Sequence, residues 1–378
     1  MINNKLKIIT ILGTRPEIIK LSCIIKSFDY YFNHKIINTG QNFSKSLNQI
    51  FFKDIKIREP DYKLNLNTNN NIEFLSKMII KVDKILDKLK PDAIFILGDT
   101  NSGLSAYAAK RRKIPIFHYE AGNRCFDQRV PEEINRKVID HMADINLTYS
   151  EISKQNLVQE NFPVDRIIKV GSPIKEIISS FKDRIKKKNL LKKLKINKSD
   201  YFLISIHREE NTEKRKLIHL LKEIKNLSVY YKKNVVFSLH PRTLKVLKSD
   251  INKFKQFKFL KPFNYSDYIF LQKNAFCVIS DSGSLMEESS ILNFSAISLR
   301  DTTERAEGME EGVLVMSGFK RDKIINGVRI VTNKNFKIKE KLVRDYNVDN
   351  VSEKIVSIIT SYTDYVNNNV WKKNVKTF

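Results

Sequence analysis

The densest group of chemically reactive side chains lies between residues 118 and 136, in the sequence HYEAGNRCFDQRVPEEINR. An apolar segment, residues 114–117, leads into it, and Pro131 suits the first position of a helix. Residues 120–136 hold four carboxylates and three arginines: Glu120, Asp127, Glu132, Glu133, Arg124, Arg129 and Arg136. This concentration just after a strand is typical of a site that transfers protons beside a bound anion. A solvated salt-bridge loop is the alternative.

Two further motifs in the first half follow predicted strands. Gly13-Thr-Arg-Pro-Glu17 ends the first apolar segment, and Lys20 comes one helical turn later. The free N–H groups of a helix start, together with Arg15 and Lys20, predict an anion site. Asp99, within Leu97-Gly-Asp-Thr100, also follows a strand and is either an active-site carboxylate or a helix cap.

Polar motifs follow predicted strands in the second half as well. His207 and His240 each stand at a strand end, next to or close to an arginine. Ser280-Asp-Ser-Gly-Ser284 precedes a helix, where N–H and hydroxyl groups can bind a diphosphate and a later carboxylate suits a ribose. The candidate binding residues of this half are Ser282, Gly283, Ser284, Glu288, His240 and, for a phosphate, Arg305.

These motifs require sheets that bring their strand ends to one edge. Short apolar segments alternate with longer ones in which apolar residues recur every three or four positions. The predicted strands are residues 7–12, 35–39, 93–97, 114–117, 145–148, 167–170, 201–206, 235–239, 257–260, 276–279 and 296–299. The fold class is therefore α/β, with parallel sheets covered by helices. Ligands of such sheets bind at the carboxyl ends of the strands.

A chain of 378 residues predicts two domains. A lysine-rich stretch without glycine, residues 175–200, separates the two series of strands, so the boundary is expected near residues 171–173. The prediction is two nucleotide-binding α/β domains that face each other across a cleft. One domain supplies acids and bases, and the other binds a nucleotide diphosphate.

Composition argues against several classes of protein. The net charge of +26 is spread along the chain, and no aromatic residues interleave with the basic ones, so nucleic acid is not expected as a partner. Anionic substrates are expected instead. No apolar run reaches the roughly 20 residues that span a bilayer. Three scattered cysteines and no metal or dinucleotide motif predict a cytoplasmic protein without a metal or cofactor. Of these cysteines, Cys125 is read as structural.

The motifs resemble, nearly throughout the chain, the non-hydrolysing UDP-N-acetylglucosamine 2-epimerase family. Those in family order are Gly13-Thr-Arg-Pro-Glu, Thr39-Gly-Gln, Gly98-Asp-Thr, Glu120-Ala-Gly, Pro131-Glu-Glu-Ile-Asn-Arg, Asp281-Ser-Gly and Glu304-Arg305. Further sequence motifs resemble the UDP-N-acetyl-L-fucosamine synthase branch: Gly122-Asn-Arg-Cys-Phe-Asp-Gln-Arg-Val-Pro, Gly171-Ser-Pro, Lys261-Pro-Phe and Asp364-Tyr-Val. Members of that branch invert C2 of UDP-2-acetamido-2,6-dideoxy-L-talose for capsule or O-antigen sugars.

The resemblance implies a fold similar to glycosyltransferase type B, with two Rossmann-like domains, residues 1–172 and 173–355, facing across a cleft. Residues 356–378 would then form a helical tail that packs on the first domain. It implies anti elimination of UDP followed by syn readdition, with UDP and a UDP-N-acetylated amino sugar as ligands. A homodimer is the expected assembly.

The resemblance also implies roles for individual residues. Asp99, Glu120 and Glu132 match catalytic carboxylates, and His207 matches a histidine near the diphosphate. Positions that match UDP contacts are Arg15, Lys20, Arg136, Ser282, Gly283 and Glu288. Gln41 matches the site of a second, regulatory UDP-sugar in some members.

The chain departs from the family in three places, which leave choices open. The loop between Glu120 and Glu132 is short, so Glu133 is an alternative to Glu132, and Ser284 replaces a glycine. Asn42 follows Gln41 where a histidine is usual, which leaves regulation open. The alternatives for function are a UDP-N-acetylglucosamine 2-epimerase, a glycosyltransferase of the same fold, and a UDP-sugar- or RNA-binding protein without catalysis.

Overall fold

Two parallel β-sheets form the framework of the protein, and each belongs to its own compact unit. The computed structural model describes residues 5–40, 55–66, 68, 70–186, 189–208, 211–333 and 342–373. The first unit comprises Met1–Ile177 and Val348–Phe378, and the second comprises Ile178–Asn347. Gln41 and Asn42 lie outside the described residues.

The first unit contains a seven-stranded sheet in the order β3-β2-β1-β4-β5-β6-β7. All of its neighbouring strands run parallel. The strands are β1 Lys7–Leu12, β2 Asn33–Asn38, β3 Tyr62–Lys63, β4 Ala93–Leu97, β5 Ile116–Ala121, β6 Ile145–Thr148 and β7 Ile167–Lys169. The central strands β1 and β4 are buried on both faces, which explains why they are nearly continuous apolar runs in the sequence.

The second unit contains a six-stranded sheet in the order β10-β9-β8-β11-β12-β13, again parallel throughout. The strands are β8 Tyr201–Ile206, β9 Asn234–Leu239, β10 Phe257–Leu260, β11 Cys277–Ser280, β12 Ala296–Ser298 and β13 Val315–Met316. This order is that of a Rossmann fold.

The helices cover the sheets with their apolar faces. In the first unit the described helices are Arg15–Lys20, Ser22–Tyr31, Asn71–Leu89, Ala106–Arg111, Pro131–Met142, Glu151–Gln159 and Val351–Tyr365. The helix Ile174–Ser180 belongs to this unit as far as Ile177, where the unit ends. In the second they are Lys182–Lys186, Leu190–Leu194, Lys214–Tyr231, Pro241–Leu247, Tyr265–Asn274, Leu285–Leu292, Ala306–Glu310 and Arg321–Val331. Each unit buries its own core, for example around Ile94 and Ile96 in the first and Phe202 and Phe237 in the second.

Each sheet has one topological switch point, where the chain changes its direction of winding. It lies between β1 and β4 in the first sheet and between β8 and β11 in the second. Loops that leave two such strands diverge to opposite faces and open a crevice, which is where ligands bind in this class. The motifs at Gly13–Lys20 and Gly98–Thr100 follow β1 and β4, and those at His207 and Asp281–Ser284 follow β8 and β11.

The helix Val351–Tyr365 packs in the first unit against the helix Ser22–Tyr31. Ser352 donates through its backbone N–H and hydroxyl to Glu176, and Lys175 pairs with Asp349 at 2.6 Å. The predicted division at residue 355 falls inside this helix, so the unit bounds of the structure differ there from the predicted 173–355. The buried Ile355 and Ile359 explain why the helix stays with the first unit.

The α/β fold class with two Rossmann-like parallel sheets is confirmed. Strand β5 was predicted over residues 114–117 but extends from Ile116 to Ala121, which brings His118 and Glu120 into the strand. Strands β3 and β13 are two-residue edge strands that the sequence did not predict. Among the described helices, none combines the length and apolar character needed to cross a bilayer.

Candidate active site

Glu120 lies near the end of β5 in a backbone conformation that few residues other than glycine adopt. Its φ is +72°, and the pairing of β5 with β6 shifts register between Tyr119 and Ala121. Such a bulge redirects a side chain, and a left-handed non-glycine residue costs on the order of 1–3 kcal/mol. The fold therefore maintains local strain at Glu120, as active sites commonly do.

Lys20 and Tyr149 hold the carboxylate of Glu120. Lys20 Nζ lies 2.8 Å from Oε1 and 2.7 Å from Oε2, and the Tyr149 hydroxyl donates to Oε2 at 3.2 Å. The Lys20 and Glu120 side chains are only 15% and 10% exposed, so water screens this pair weakly. The structure thus brings together two predicted site residues that lie 100 positions apart.

Asp99 follows β4 and is paired with Arg136. The guanidinium donates to Asp99 Oδ2 from Nη2 at 2.6 Å and from Nε at 3.1 Å, while Asn135 donates to the Asp99 carbonyl at 3.0 Å. Arg136 is 4% exposed and Asp99 28%, so the arginine lies behind the carboxylate. In this arrangement Arg136 orients Asp99, and its predicted contact with UDP stays a prediction.

Glu132 and Glu133 are neighbours in sequence with opposite environments. Glu133 is fully buried and accepts from the backbone N–H groups of Cys125 and Phe126 and from Arg136 Nη1, at 3.1, 3.1 and 2.8 Å. Burial would raise the pKa of Glu133, but these donors outweigh it and lower the pKa. Glu132 is exposed, and among the described residues it makes no hydrogen bond or ion pair. Glu133 therefore fixes the loop, whereas Glu132 is available to a ligand.

Glu17 is a buried carboxyl within the first motif, 3% exposed. It accepts from the backbone N–H of Gly13 and Thr14 and from the hydroxyls of Thr14 and Thr100. Burial raises the pKa of Glu17 to about 7, although these donors act in the opposite direction. The sequence indicated a helix start here but gave no sign of the contact with Thr100.

A buried charged network supports the loops from beneath. His118 Nε2 lies 2.9 Å from the Gly98 carbonyl oxygen, and its Nδ1 lies 2.8 Å from Asp140 Oδ1. Asp140 also accepts from Arg124 Nη1 at 2.7 Å. Burial would raise the pKa of Asp140, but His118 and Arg124 lower it. Gly122 is required here, because a Cβ would lie 2.1 Å from the Ser153 carbonyl oxygen.

In the second unit, His207 is anchored by Asp281 at the switch point. His207 Nδ1 lies 2.9 Å from Asp281 Oδ1, and the backbone N–H groups of His207 and Arg208 also donate to this carboxylate. Burial would raise the pKa of Asp281, but His207, the N–H donors and Asn211 lower it to about 2. His207 is 39% exposed, so its ring is accessible to a ligand.

The serine motif after β11 forms a compact hydroxyl cluster. Ser282 Oγ and Ser284 Oγ lie 3.1 Å apart, and Ser284 donates to Glu288 Oε1 at 3.0 Å. Gln272 donates to the other oxygen of Glu288 at 2.6 Å. The structure therefore brings Ser282, Ser284 and Glu288 together, with Gly283 between the two serines, at the start of the helix Leu285–Leu292.

The remaining candidates differ in their accessibility. The rings of His240 and His207 lie 6.1 Å apart, so these two histidines are neighbours. Arg305 is 1% exposed and pairs with the buried Glu287 at 3.3 Å. In this conformation its guanidinium is buried and paired with Glu287, and its predicted phosphate contact stays a prediction. Arg15 is half-buried on the first turn of its helix.

The sequence did not single out several residues that shape the site, namely Tyr149, Asp140, Gln272 and Thr100. Tyr149 directly follows β6, so the strand-end rule that found Asp99 would have found it too. In the described part of the chain, no group of three or more His, Cys, Asp or Glu side chains is arranged to hold a metal ion.

Comparisons with known proteins identify the family of the chain. The sequence profile of the UDP-N-acetylglucosamine 2-epimerase family matches residues 27–360. A UDP-N-acetylglucosamine 2-epimerase structure from Rickettsia bellii is 48% identical, covers 97% of this chain and 100% of its own, and has a TM-score of 0.91. The UDP-GlcNAc 2-epimerase structure from Methanocaldococcus jannaschii, in complex with UDP-GlcNAc and UDP, is 36% identical, covers 94% and 99%, and has a TM-score of 0.86.

A relative from Pseudomonas aeruginosa acts on a different sugar. It is the UDP-2,3-diacetamido-2,3-dideoxy-D-glucuronate 2-epimerase, 31% identical over 86% of this chain and 92% of its own. What these proteins share in name is 2-epimerisation of a UDP-sugar, while the sugar itself varies. The chain therefore belongs to the UDP-N-acetylglucosamine 2-epimerase family and is an isomerase.

Proposed function

We propose that this enzyme inverts C2 of a UDP-2-acetamido sugar by anti elimination of UDP and syn readdition. The observation that supports this most is a pair of carboxylates at the ends of two neighbouring strands of the first sheet, Asp99 after β4 and Glu120 near the end of β5. Asp99 is held by Arg136 and Glu120 by Lys20, so each carboxylate has its own cation. Glu132 is exposed nearby in sequence and is unpaired among the described residues. Together, the two paired carboxylates and Glu132 suit a reaction that removes a proton and returns it.

The chemistry explains why cations and carboxylates are both needed. The C2 hydrogen has no adjacent carbonyl to acidify it, so its removal requires the C1–O bond to break as well. A carboxylate takes the C2 proton, the electrons of the C2–H bond form the C1=C2 bond, and UDP leaves with the C1–O electron pair. A diphosphate oxygen then adds back to C1, while C2 receives a proton on its other face.

The second unit offers the groups that this proposal assigns to UDP. His207, Ser282 and Ser284 are donors to a diphosphate, and the N–H groups at the start of the helix Leu285–Leu292 add to them. Glu288 would accept from the ribose hydroxyls. Gly283 and His240 belong to the same predicted set, as does Arg305, whose guanidinium is buried beside Glu287.

Two sugars are candidates for the substrate. The first is UDP-2-acetamido-2,6-dideoxy-L-talose, giving UDP-N-acetyl-L-fucosamine for capsule or O-antigen synthesis, and its support is the wording of the motif around Asn123–Pro131. The second is UDP-N-acetylglucosamine, giving UDP-N-acetylmannosamine, and its support is the activity named for the Rickettsia and Methanocaldococcus relatives.

Incubation with each UDP-sugar separately, followed by proton NMR of the anomeric region, tests the proposal and chooses between the sugars. We expect one of the two to reach an equilibrium of C2 epimers without net release of UDP and without an added cofactor or metal. A chelator should leave the rate unchanged. Irreversible consumption that depends on an acceptor would instead identify a glycosyltransferase. Light scattering of the purified chain would test the proposed homodimer.

A further inference from the structure

Glu17 is a buried carboxyl to which the proposed reaction assigns no role. Its Oε2 accepts from Gly13 N at 3.1 Å, Thr14 N at 2.7 Å and Thr14 Oγ1 at 2.6 Å. Its Oε1 accepts from Thr100 Oγ1 at 3.1 Å. Four donors on one carboxyl that is 3% exposed form a fully engaged site in the interior of the first unit.

Helix capping explains only part of this arrangement. Glu17 is the third residue of the helix Arg15–Lys20, and its contacts with Gly13 and Thr14 belong to the capping box at this helix start. The contact with Thr100 joins residues 83 positions apart and has no part in a cap. The Thr100 side chain also makes no capping bond to the short 3₁₀-helix Asn101–Ser105 that it precedes. This hydroxyl is therefore directed to Glu17 instead of its own helix.

The two segments that Glu17 joins carry the acid–base groups. The helix Arg15–Lys20 ends at Lys20, which holds Glu120. Thr100 is adjacent to Asp99, which Arg136 holds. The Glu17–Thr100 hydrogen bond is thus a direct link between the element that orients Glu120 and the loop that presents Asp99.

The loop that carries Asp99 lies beside Glu120. A Cβ on Gly98, whose φ is +69°, would lie 3.4 Å from Glu120 Oε2. A displacement of the loop after β4 therefore changes the surroundings of both Asp99 and Glu120. Acid–base catalysis depends strongly on such distances, since misplacement by about 1 Å can cost about 10²-fold in rate.

We propose that Glu17 is a positioning residue whose carboxylate fixes the loop of Asp99 relative to the Lys20–Glu120 pair. This inference rests on the proposed epimerase reaction. When the two carboxylates are held at the correct distance from each other, the intermediate glycal receives its proton and UDP before it leaves. When the distance between them varies, elimination still occurs in some turnovers, but glycal and UDP escape instead of recombining.

Three variants, assayed at pH 8 on the full chain, separate this role from capping. Glu17→Gln keeps the size of the side chain but replaces one acceptor oxygen with an NH₂ group. Thr100→Val removes only the hydroxyl that joins the loop to Glu17. Thr14→Val is the matched control, because it removes a hydroxyl donor to the same carboxyl but leaves the contact with Thr100.

We expect Glu17→Gln and Thr100→Val each to lower kcat by roughly 10- to 100-fold, with KM for the UDP-sugar within about 3-fold of wild type. Both should release free glycal and UDP, detected by NMR. The double variant should be no slower than Glu17→Gln alone, since the two residues act through one bond. Thr14→Val should lower Tm yet keep kcat within about 3-fold and release no glycal.

Thr100→Val decides the question if Glu17→Gln does not fold. Wild-type kcat and no glycal release in Thr100→Val would overturn the inference and leave Glu17 as a helix cap. Equal losses of kcat in Thr100→Val and Thr14→Val would overturn it as well. A wild-type enzyme that epimerises no UDP-acetamido sugar would instead contradict the proposed function, so the two failures are distinguishable.

Discussion

Lys20 Nζ contacts both carboxylate oxygens of Glu120, at 2.8 and 2.7 Å, and Glu120 is itself a left-handed residue near the end of β5. The ammonium group thereby orients the carboxylate that the proposed reaction uses to take the C2 proton. The sequence assigned Lys20 to UDP, whereas the structure shows it engaged with a carboxylate. The two roles make different predictions for substitution.

Replacing Lys20 with methionine should lower kcat by about 10²- to 10³-fold, because the variant leaves Glu120 without its cation. UDP affinity, measured by calorimetry, should stay within about 3-fold of wild type if orienting Glu120 is the main role of Lys20. The exposed Lys26 provides the control, since Lys26→Met should change neither quantity. Loss of UDP affinity with kcat retained would show that Lys20 is a phosphate ligand.

Substitutions of Glu132 and Glu133 should have opposite consequences. Glu132→Gln removes an exposed carboxylate, so the free energy of unfolding should change by less than about 0.5 kcal/mol while turnover falls by at least about 10²-fold. Glu133→Gln disturbs a buried acceptor of two backbone N–H groups and Arg136, so unfolding should become about 2–4 kcal/mol easier.

Urea denaturation followed by circular dichroism, together with turnover assays, checks both variants. If Glu133→Gln is stable but inactive while Glu132→Gln stays active, the catalytic carboxylate is Glu133 and not Glu132.

Glu17 should make stability depend on pH. Its pKa is raised from 4.5 to about 7 by burial, so the folded state keeps a proton that the unfolded chain loses between these values. The resulting stabilisation is fully present below pH 4.5, declines as pH rises, and is gone above about pH 7. Its full size is on the order of 3 kcal/mol.

The measurement is the free energy of unfolding of wild type minus that of Glu17→Gln, followed from pH 5 to pH 8. This difference should fall with rising pH and level off above about 7, because groups common to both proteins cancel. A difference that stays constant across this range would contradict the raised pKa of Glu17.

Asp281→Asn should weaken both stability and UDP binding. The pKa of Asp281 is lowered from 3.8 to about 2, so its stabilising contribution is present above pH 4 and is lost as pH falls toward 2. At pH 7 the variant should be destabilised by about 2 kcal/mol. The variant loses the carboxylate that anchors the ring and N–H of His207, so UDP affinity should fall by about 10-fold.

Calorimetry with UDP and urea denaturation at pH 7 and pH 3 check this prediction. Unchanged UDP affinity would mean that His207 does not depend on Asp281 for its placement.

Much of the site could be predicted from sequence because of a property of parallel sheets. Every strand points the same way, so residues that follow different strands meet at one edge without any knowledge of the loops. Asp99 after β4, Lys20 after β1 and His207 after β8 were found by this rule. The helix Pro131–Met142 was likewise signalled by its first proline.

The partners of these residues could not be predicted, since they depend on side-chain direction. Adjacent residues of a helix differ by about 100° in direction, so the phase of the helix decides which glutamate is buried. The length of the preceding loop sets that phase, and the backbone N–H groups of Cys125 and Phe126 bind Glu133. The pairing of Arg136 with Asp99 follows from the same phase.

Local backbone strain and very short strands could not be predicted from the sequence either. The bulge at Glu120 arises from the register of β5 against β6, which no local pattern records. Strands β3 and β13 have two residues each, too few for any periodicity to appear. Neither of these edge strands carries a candidate site residue.

The most direct test of the central claim, that carboxylates of the first unit remove and return the C2 proton, is epimerisation in D₂O followed by NMR. We predict that wild type incorporates deuterium at C2 of the product with every turnover. Asp99→Asn, Glu120→Gln and Glu132→Gln should each lose exchange by about 10²-fold or more while still binding UDP. Epimer formed with protium retained at C2, or near wild-type exchange in all three variants, would contradict the account.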